Sequence, residues 1–229
     1  MHYQCIIFDW DGTVMDSVPK IVNTIHLAAT DCGLERVTDE QAKNIIGLSL
    51  EKAMLRLFPH HPDKLQQLVA AYKHIYKHVD TTPTPLFSGV TELLKQLKQQ
   101  GKHIAVATGK SRVGLDRLLA ESGLQDYFVI TRTACEAQSK PHPDMLEQIL
   151  QQLQLVPQQA VMVGDTLIDM ELAQRAGVDA IGVTMGVASR EILSNTHAKH
   201  ICDNYQQLAQ LLLTQDIDTE IKQHLCELN

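Results

Sequence analysis

Short apolar runs alternate with helix-like stretches along most of the chain, and this alternation predicts a parallel β-sheet. The first run, Cys5–Phe8, leads directly into two aspartates. Further apolar runs follow helical stretches at 103–109, 127–131, 160–165, 180–183 and 200–202. Strands that alternate with helices form a parallel sheet covered on both faces. We therefore expect an α/β fold with a doubly wound, Rossmann-like parallel sheet.

The stretch after the first strand has a different pattern. Between residues 16 and 82, apolar side chains recur at helical spacing in four segments, and strand-like alternation is absent. The second of these helices is predicted from Asp39 to Ile46. Pro83 and Pro85 then interrupt the helical pattern. The sequence thus predicts a catalytic core of residues 1–15 and 83–229, with an α-helical domain of residues 16–82 inserted after the first strand.

Polar residues follow several predicted strands. Asp9 and Asp11 are two positions apart on an extended backbone, so they point to the same side. Thr108 and Asp165 end two other strands, and Lys140 follows a strand and its loop. Open parallel sheets bind ligands at this edge, where the carboxylates would repel one another unless a cation lay among them. Oxygen ligands favour Mg²⁺ before Ca²⁺. A lysine and a hydroxyl beside it suit a phosphoryl group, and a carboxylate can attack phosphorus.

Composition narrows the choice of partners. The formal charge of −7 and the absence of basic runs argue against nucleic-acid binding. The five cysteines are scattered and odd in number, which favours reduced thiols and a cytoplasmic location. No apolar run approaches the length of a membrane span, and the first residues do not resemble a signal peptide.

Four short motifs occur in order along the predicted core. They are Asp9-Trp10-Asp11-Gly12-Thr13 with the later Asp16-Ser17, then Thr108-Gly109-Lys110, then Ser139-Lys140-Pro141, and finally Gly164-Asp165-Thr166-Leu167-Ile168-Asp169. Together they resemble the haloacid dehalogenase superfamily in its phosphatase branch, with the phosphoglycolate phosphatases most similar in layout. The resemblance covers the core from end to end, and the helical insertion matches the small cap of that family.

The resemblance implies a role for each matching aspartate. Asp9 is the expected nucleophile and a Mg²⁺ ligand. Asp11 is the expected general acid and base, and its backbone carbonyl is a further metal ligand. Asp165 is expected to bind the metal directly or through water. Asp169 is expected to orient Lys140 or a metal-bound water.

The same resemblance implies a phosphate-binding set. Thr108, the Gly109 amide and Lys140 are expected to hold the phosphoryl oxygens, and Gly12 and Thr13 belong to the same set. Lys110 and Ser49 are weaker candidates for contact with the substrate, since Lys110 equally suits a solvated position and Ser49 lies in a turn of the insertion.

Several functions stay open within this resemblance. Dehalogenases of the superfamily lack an acid at the position of Asp11, because a halide leaving group needs no proton, so dehalogenation is disfavoured. Sugar phosphomutases carry an arginine and a histidine where this chain has Leu50 and Ile21, which leaves a mutase as the alternative. A non-catalytic phospho-acceptor regulator is a third hypothesis. We expect a Mg²⁺-dependent phosphatase of a small phosphorylated metabolite, phosphoglycolate-like or a sugar phosphate, that is a monomer or weak homodimer.

Overall fold

A computed structural model describes residues 3–213. Within this range six parallel strands form one sheet in the order β3-β2-β1-β4-β5-β6. The strands are β1 Cys5–Phe8, β2 His103–Thr108, β3 Ile130–Thr133, β4 Ala160–Gly164, β5 Asp179–Val183 and β6 His200–Cys202. The first strand lies between β2 and β4. The chain builds the sheet outward from β1 through β2 and β3, and then continues on the other side of β1 through β4, β5 and β6. This is the switch point at which doubly wound sheets bind their ligands, and the predicted fold class is confirmed.

Helices cover both faces of the sheet. In the core they are α5 Val90–Gln99, α6 Arg112–Ser122, α7 Asp144–Leu153, α8 Leu167–Ala176, α9 Arg190–Ser194 and α10 over 205–213. Strand residues alternate between two apolar clusters: Ile6 and Phe8 join the cluster with α5 and α6, whereas Cys5 and Ile7 join the cluster with α7 and α8. Because β1 is buried on both faces, all four of its residues are apolar.

The insertion consists of helices around a third apolar cluster. They are α1 Val18–Asp31, α2 Asp39–Lys43, α3 Leu50–Leu57 and α4 Leu65–His78, with a short 3₁₀ turn at Pro62–Lys64. Their buried side chains, such as Ile25, Met54 and Leu68, pack together. A separate apolar cluster supports an independent domain, and the exact division of the chain at residues 16 and 82 stays a prediction.

Two predicted elements differ from the structure. The strand expected at 127–131 begins only at Ile130, because Gln125–Tyr127 forms a 3₁₀ turn whose aromatic residue packs against the core. The helix expected from Asp39 to Ile46 ends at Lys43, and the chain then turns through Gly47, whose φ is +102°. Cys226 and the C-terminal tail lie outside the described residues. Among residues 3–213, none of the helices combines the length and the hydrophobicity needed to cross a membrane.

Candidate active site

The residues that follow β1 continue its alternation. Asp9 projects to the side of Cys5 and Ile7, and Trp10 is buried in the opposite apolar cluster with Phe8. The chain then turns sharply at Gly12, where φ is +78°. A side chain here would collide with Asp165, since a Cβ would lie 2.2 Å from its Oδ2. Glycine is therefore required both by the backbone angle and by the close approach of the neighbouring strand end.

Lys140 lies between two of the predicted carboxylates. Its Nζ is 2.6 Å from Asp9 Oδ1 and 2.7 Å from Asp169 Oδ1, and its side chain is fully buried. Burial alone lowers the pKa of Lys140, but the carboxylates of Asp169 and Asp9 raise it by more, so the pKa lies above its ordinary value. The amine is therefore a permanent cation that fixes one oxygen of each carboxylate.

Asp165, after β4, is held by both of its oxygens. Oδ1 accepts a hydrogen bond of 2.9 Å from the Thr13 hydroxyl, and Oδ2 accepts one of 2.8 Å from the Val187 amide. The loop that supplies this amide approaches closely because Gly186 lacks a side chain; a Cβ there would lie 2.0 Å from Asp165 Oδ2. The hydroxyl of Thr13 thus contacts Asp165, and the predicted role of Thr13 in phosphate binding stays a prediction.

Asp9, Asp165 and Asp169 form an acidic cluster at the end of the sheet. All three are buried, and a carboxylate oxygen from each lies within 4.8 Å of the others. Asp169 Oδ2 accepts a hydrogen bond of 2.6 Å from the Thr166 hydroxyl. Asp9 Oδ2 is buried and has no hydrogen-bond partner among residues 3–213. An unpartnered buried carboxylate oxygen within such a cluster fits a hard divalent cation.

Electrostatics supports the same conclusion. Burial raises the pKa of Asp9 to about 7; Lys140 opposes this rise, while Asp169 and Asp11 add to it. Burial also raises the pKa of Asp165 well above its ordinary value, and the charges of Asp169 and Asp9 contribute. Without a further cation, these carboxylates are held together at an electrostatic cost. The cluster supplies oxygen ligands that suit a divalent cation.

Asp11 lies at the opening of this site, with two partners of its own. The Ser17 hydroxyl donates to Asp11 Oδ1 at 2.5 Å, and Lys110 Nζ lies 2.9 Å from the same oxygen. Ser17 occupies the N-cap position of α1, but its side chain points to Asp11. Lys110 is thus brought to Asp11, where its charge balances that of the carboxylate.

The remaining predicted residues lie around the same opening. Thr108 is buried at the end of β2, and its hydroxyl oxygen accepts a hydrogen bond of 3.2 Å from the backbone amide of Lys110. Gly109 is pressed against the insertion: a Cβ would lie 2.4 Å from the Leu48 carbonyl oxygen. Ser49 donates its amide to Ser139 Oγ at 2.9 Å. The insertion therefore rests directly on two loops of the core.

Sequence reasoning missed three contributions to the site. Ser17 was part of a motif but had no assigned contact, and Gly186 and Val187 were not considered. Gly186 and Val187 could have been recognised as candidates, because their loop follows β5, which is adjacent to β4 in the sheet. A glycine at the end of a strand next to the site indicates close backbone approach.

Comparison with known proteins identifies the family. Residues 6–183 match the family model of the haloacid dehalogenase-like hydrolases. The chain belongs to this family. It is 33% identical to "Probable phosphatase IndB" of Dickeya dadantii, over 89% of this chain and 90% of the relative. It is 30% identical to a phosphoglycolate phosphatase of Aliivibrio fischeri, over 90% of this chain and 95% of the relative.

A solved structure gives the same result. A protein from Bacteroides fragilis described as a haloacid dehalogenase-like hydrolase superposes with a TM-score of 0.83 at 27% identity, and the match covers 90% of this chain and 99% of that one. The fold, the acidic cluster and the named relatives together make this chain a phosphatase of the haloacid dehalogenase-like family, similar to the phosphoglycolate phosphatases.

Proposed function

We propose that this chain is a Mg²⁺-dependent phosphomonoesterase that acts on a small phosphorylated metabolite through an aspartyl-phosphate on Asp9. The observation that carries the proposal is the state of the Asp9 carboxylate. Its Oδ1 is fixed by Lys140, while its buried Oδ2 has no partner among residues 3–213 and belongs to the acidic cluster. A carboxylate held by one oxygen presents the other in a defined direction for nucleophilic attack or metal binding.

The chemistry then divides between Asp9 and Asp11. Asp9 attacks phosphorus, the bond from phosphorus to the ester oxygen breaks, and Asp11 gives its proton to the departing alkoxide. Asp11 next takes a proton from water, whose oxygen attacks the phosphorus and releases phosphate from Asp9. Ser17 fixes the Asp11 side chain, so the acid stays within reach of the leaving oxygen.

The metal site would be formed by Asp9, Asp165 and the backbone carbonyl of Asp11. A Mg²⁺ ion bound there supplies positive charge that neutralises the phosphoryl oxygens. Asp169 is engaged by Lys140 and Thr166, so its proposed task is to position the lysine. Thr108, the Gly109 amide and Lys140 are the proposed contacts for the phosphoryl oxygens, with Gly12 shaping the turn below them.

The substrate is proposed from the named relatives and from the insertion. Phosphoglycolate phosphatases among the relatives make a phosphoglycolate-like ester the first candidate and a sugar phosphate the second. Ile21 and Leu50, which stand where mutases carry polar residues, line the cavity as apolar side chains. We therefore retain hydrolysis over isomerisation. Four free cysteines among the described residues accord with a cytoplasmic site of action.

Substitution of the nucleophile tests the proposal. Asp9→Asn keeps an oxygen for Lys140 but removes the attacking carboxylate, so we expect phosphate release from p-nitrophenyl phosphate to fall at least ~10³-fold. EDTA should abolish the wild-type activity and Mg²⁺ should restore it. The exposed Asp126→Asn is the matched control and should keep full activity. Retained turnover in Asp9→Asn, or full activity in EDTA, would contradict the proposal.

A further inference from the structure

A large cavity lies between the insertion and the carboxyl end of the sheet. Its volume is about 680 Å³, and Asp9 and Asp11 line it where it meets the core. Towards the insertion its wall is formed mainly by apolar and aromatic side chains, namely Ile21, Ile25, Met54, Val69, Tyr72 and Tyr76. The cavity is therefore continuous with the proposed reaction site, and whatever is attached to the phosphoryl group enters it.

The volume of the cavity exceeds the needs of a two-carbon acid. Pockets of roughly 300–1,000 Å³ enclose ligands of drug size. A phosphoglycolate would leave most of the space to water, and water against an apolar wall has few hydrogen-bond partners. A bulky apolar group would instead exchange exposed surface for contact with Ile25, Met54 and Val69, which is favourable in proportion to the area covered.

The charges next to Asp11 offer little attraction to a substrate carboxylate. Four cations line the cavity, namely Lys73, Lys77, Lys110 and Arg117. The carboxylate of phosphoglycolate would lie close to the phosphoryl group, and there Lys110 is the cation that contacts Asp11. Lys110 is 2.9 Å from Asp11 Oδ1, so its charge is already compensated. The carboxylate of the substrate would therefore meet Asp11 and Lys110 as an ion pair rather than Lys110 as a free cation.

Two tyrosines of α4 give one part of the wall an aromatic surface. The Tyr76 ring is stacked with that of Tyr72, with the centroids 5.8 Å apart, which makes this part of the wall a flat aromatic surface.

Resting on the proposed function for its chemistry, we propose a substrate different from the small esters that the named relatives suggest, namely a phosphomonoester whose leaving alcohol carries a bulky apolar group. This group lies against the side chains of α1, α3 and α4, while the phosphoryl group lies at Asp9. The reaction is unchanged: the phosphorus–oxygen bond breaks, and Asp11 protonates the departing alkoxide to give the alcohol. The insertion thus selects against small charged esters through shape and polarity.

A series of n-alkyl phosphates from ethyl to hexyl tests this specificity. All members share the same leaving-group chemistry, so rate differences report contact with the cavity. Each buried methylene should raise kcat/KM by about fourfold, so the four additional methylenes of hexyl over ethyl phosphate should give about a 250-fold preference. Hexyl phosphate should also exceed 2-phosphoglycolate and glucose 6-phosphate. A flat series, or a preference for either metabolite over hexyl phosphate, would overturn the inference.

A pair of substitutions localises the effect. Ala53 is buried on α3 and lines the cavity, whereas Ala70 is exposed on α4. Ala53→Leu fills part of the cavity, so it should reduce the preference for hexyl over ethyl phosphate at least ~10-fold while ethyl phosphate is still hydrolysed. Ala70→Leu should leave the preference unchanged. Equal preferences in the two variants would place the apolar contact elsewhere and refute the assignment.

Binding distinguishes this inference from the proposed function. Alkylphosphonates are not hydrolysed, so calorimetry with ethyl- and hexylphosphonate in the presence of Mg²⁺ measures contact with the cavity alone. Affinity that increases with chain length would support the inference even if no ester released phosphate, an outcome that would contradict only the proposed function. Equal affinities for the two phosphonates would refute the inference whatever the hydrolytic activity.

Discussion

The two sides of the cavity are built on opposite principles. On the core side, the acidic cluster is crowded with charges, and most of its oxygens have defined partners such as Lys140 and the Val187 amide. On the side of the insertion, the wall is formed mainly by apolar and aromatic side chains such as Ile25, Met54 and Tyr72. The core side is thus fixed by directional bonds, while the other side offers shape and hydrophobic surface.

This contrast separates chemistry from selection. Attack on phosphorus requires charges held to within a fraction of an ångström, which a network of hydrogen bonds on rigid strand ends provides. Selection of a leaving group requires an adaptable surface, which side chains such as Met54 provide. Substitutions on the core side should therefore change turnover of every substrate, whereas those beneath the insertion should change the ranking of substrates.

The largest effect is expected from removing the cation between the carboxylates. Lys140→Met keeps the length of the side chain but leaves Asp9 and Asp169 without their shared partner. We expect phosphatase activity to fall about 10²–10³-fold for all substrates. The free energy of unfolding should fall by about 3–5 kcal/mol at pH 8, because buried charges lose their compensation. Steady-state kinetics and urea unfolding measure the two effects.

The exposed Lys95→Met is the control for this substitution. It removes the same charge from the chain without touching the acidic cluster, so activity and stability should stay near those of the wild type. If Lys140→Met behaved like Lys95→Met, the lysine would have no part in holding the acidic cluster.

The second effect concerns the charge of Asp165, whose loss should stabilise the protein, whereas loss of the Lys140 charge should destabilise it. Burial raises the pKa of Asp165 well above its ordinary value, so the folded protein retains a proton that the unfolded chain has released. The contribution of Asp165 to the free energy of unfolding is fully present below its unfolded pKa of about 4. It is lost as the pH rises through its folded pKa, by about 1.4 kcal/mol per pH unit. In EDTA, the free energy of unfolding should therefore fall as the pH rises from 5 to 8.

Asp165→Asn isolates this contribution. The amide oxygen can accept from Val187 while the amide nitrogen donates to the Thr13 hydroxyl, so both contacts persist without the charge. In EDTA at pH 8 the variant should be about 1–2 kcal/mol more stable than the wild type and should show a flatter pH dependence. Its Mg²⁺-supported activity should fall about 100-fold. Lower stability than the wild type at pH 8 would show that the carboxylate is not under electrostatic strain.

Much of the core side could be predicted from the sequence. Asp9, Lys140 and Asp165 follow different strands, and parallel strands bring their carboxyl ends to one edge. What could not be predicted are contacts that depend on the path of a loop. Ser17 reaches Asp11 only because the chain folds back after Gly12, and Val187 reaches Asp165 only because Gly186 permits close approach.

The other side was less predictable for a different physical reason. Apolar residues such as Ile25 and Val69 follow helical periodicity whether they face the interior of the insertion or the cavity. Periodicity assigns a face of a helix but not the volume between helices, so the four-helix pattern gave no measure of the cavity. The contact between the insertion and the core, at Gly47 and Gly109, also could not be predicted from the spacing of residues along the sequence.

The smallest effect is expected where the two sides meet. In Gly109→Ala a Cβ would lie 2.4 Å from the Leu48 carbonyl oxygen and 2.6 Å from that of Gly47, and backbone atoms cannot move aside cheaply. The insertion should therefore shift away from the core, lowering kcat/KM about 10-fold through a misplaced wall. Alanine retains the amide of residue 109, so the loss reports space rather than a missing hydrogen bond.

Gly114→Ala provides the comparison for this last substitution. Gly114 also lines the cavity, but a Cβ there would be 3.1 Å from only the Ser111 hydroxyl. This hydroxyl accepts the Gly114 amide as the N-cap of α6 and need yield by only a few tenths of an ångström. The kcat/KM of Gly114→Ala should stay within about twofold of the wild type, and its stability should change by less than about 1 kcal/mol, because the helix preference of alanine offsets the strain at the cap. The loss in Gly109→Ala should be larger for hexyl than for ethyl phosphate, since only the longer chain depends on the displaced wall. An equal loss for both esters would mean that residue 109 acts on the phosphoryl group and not on the position of the insertion.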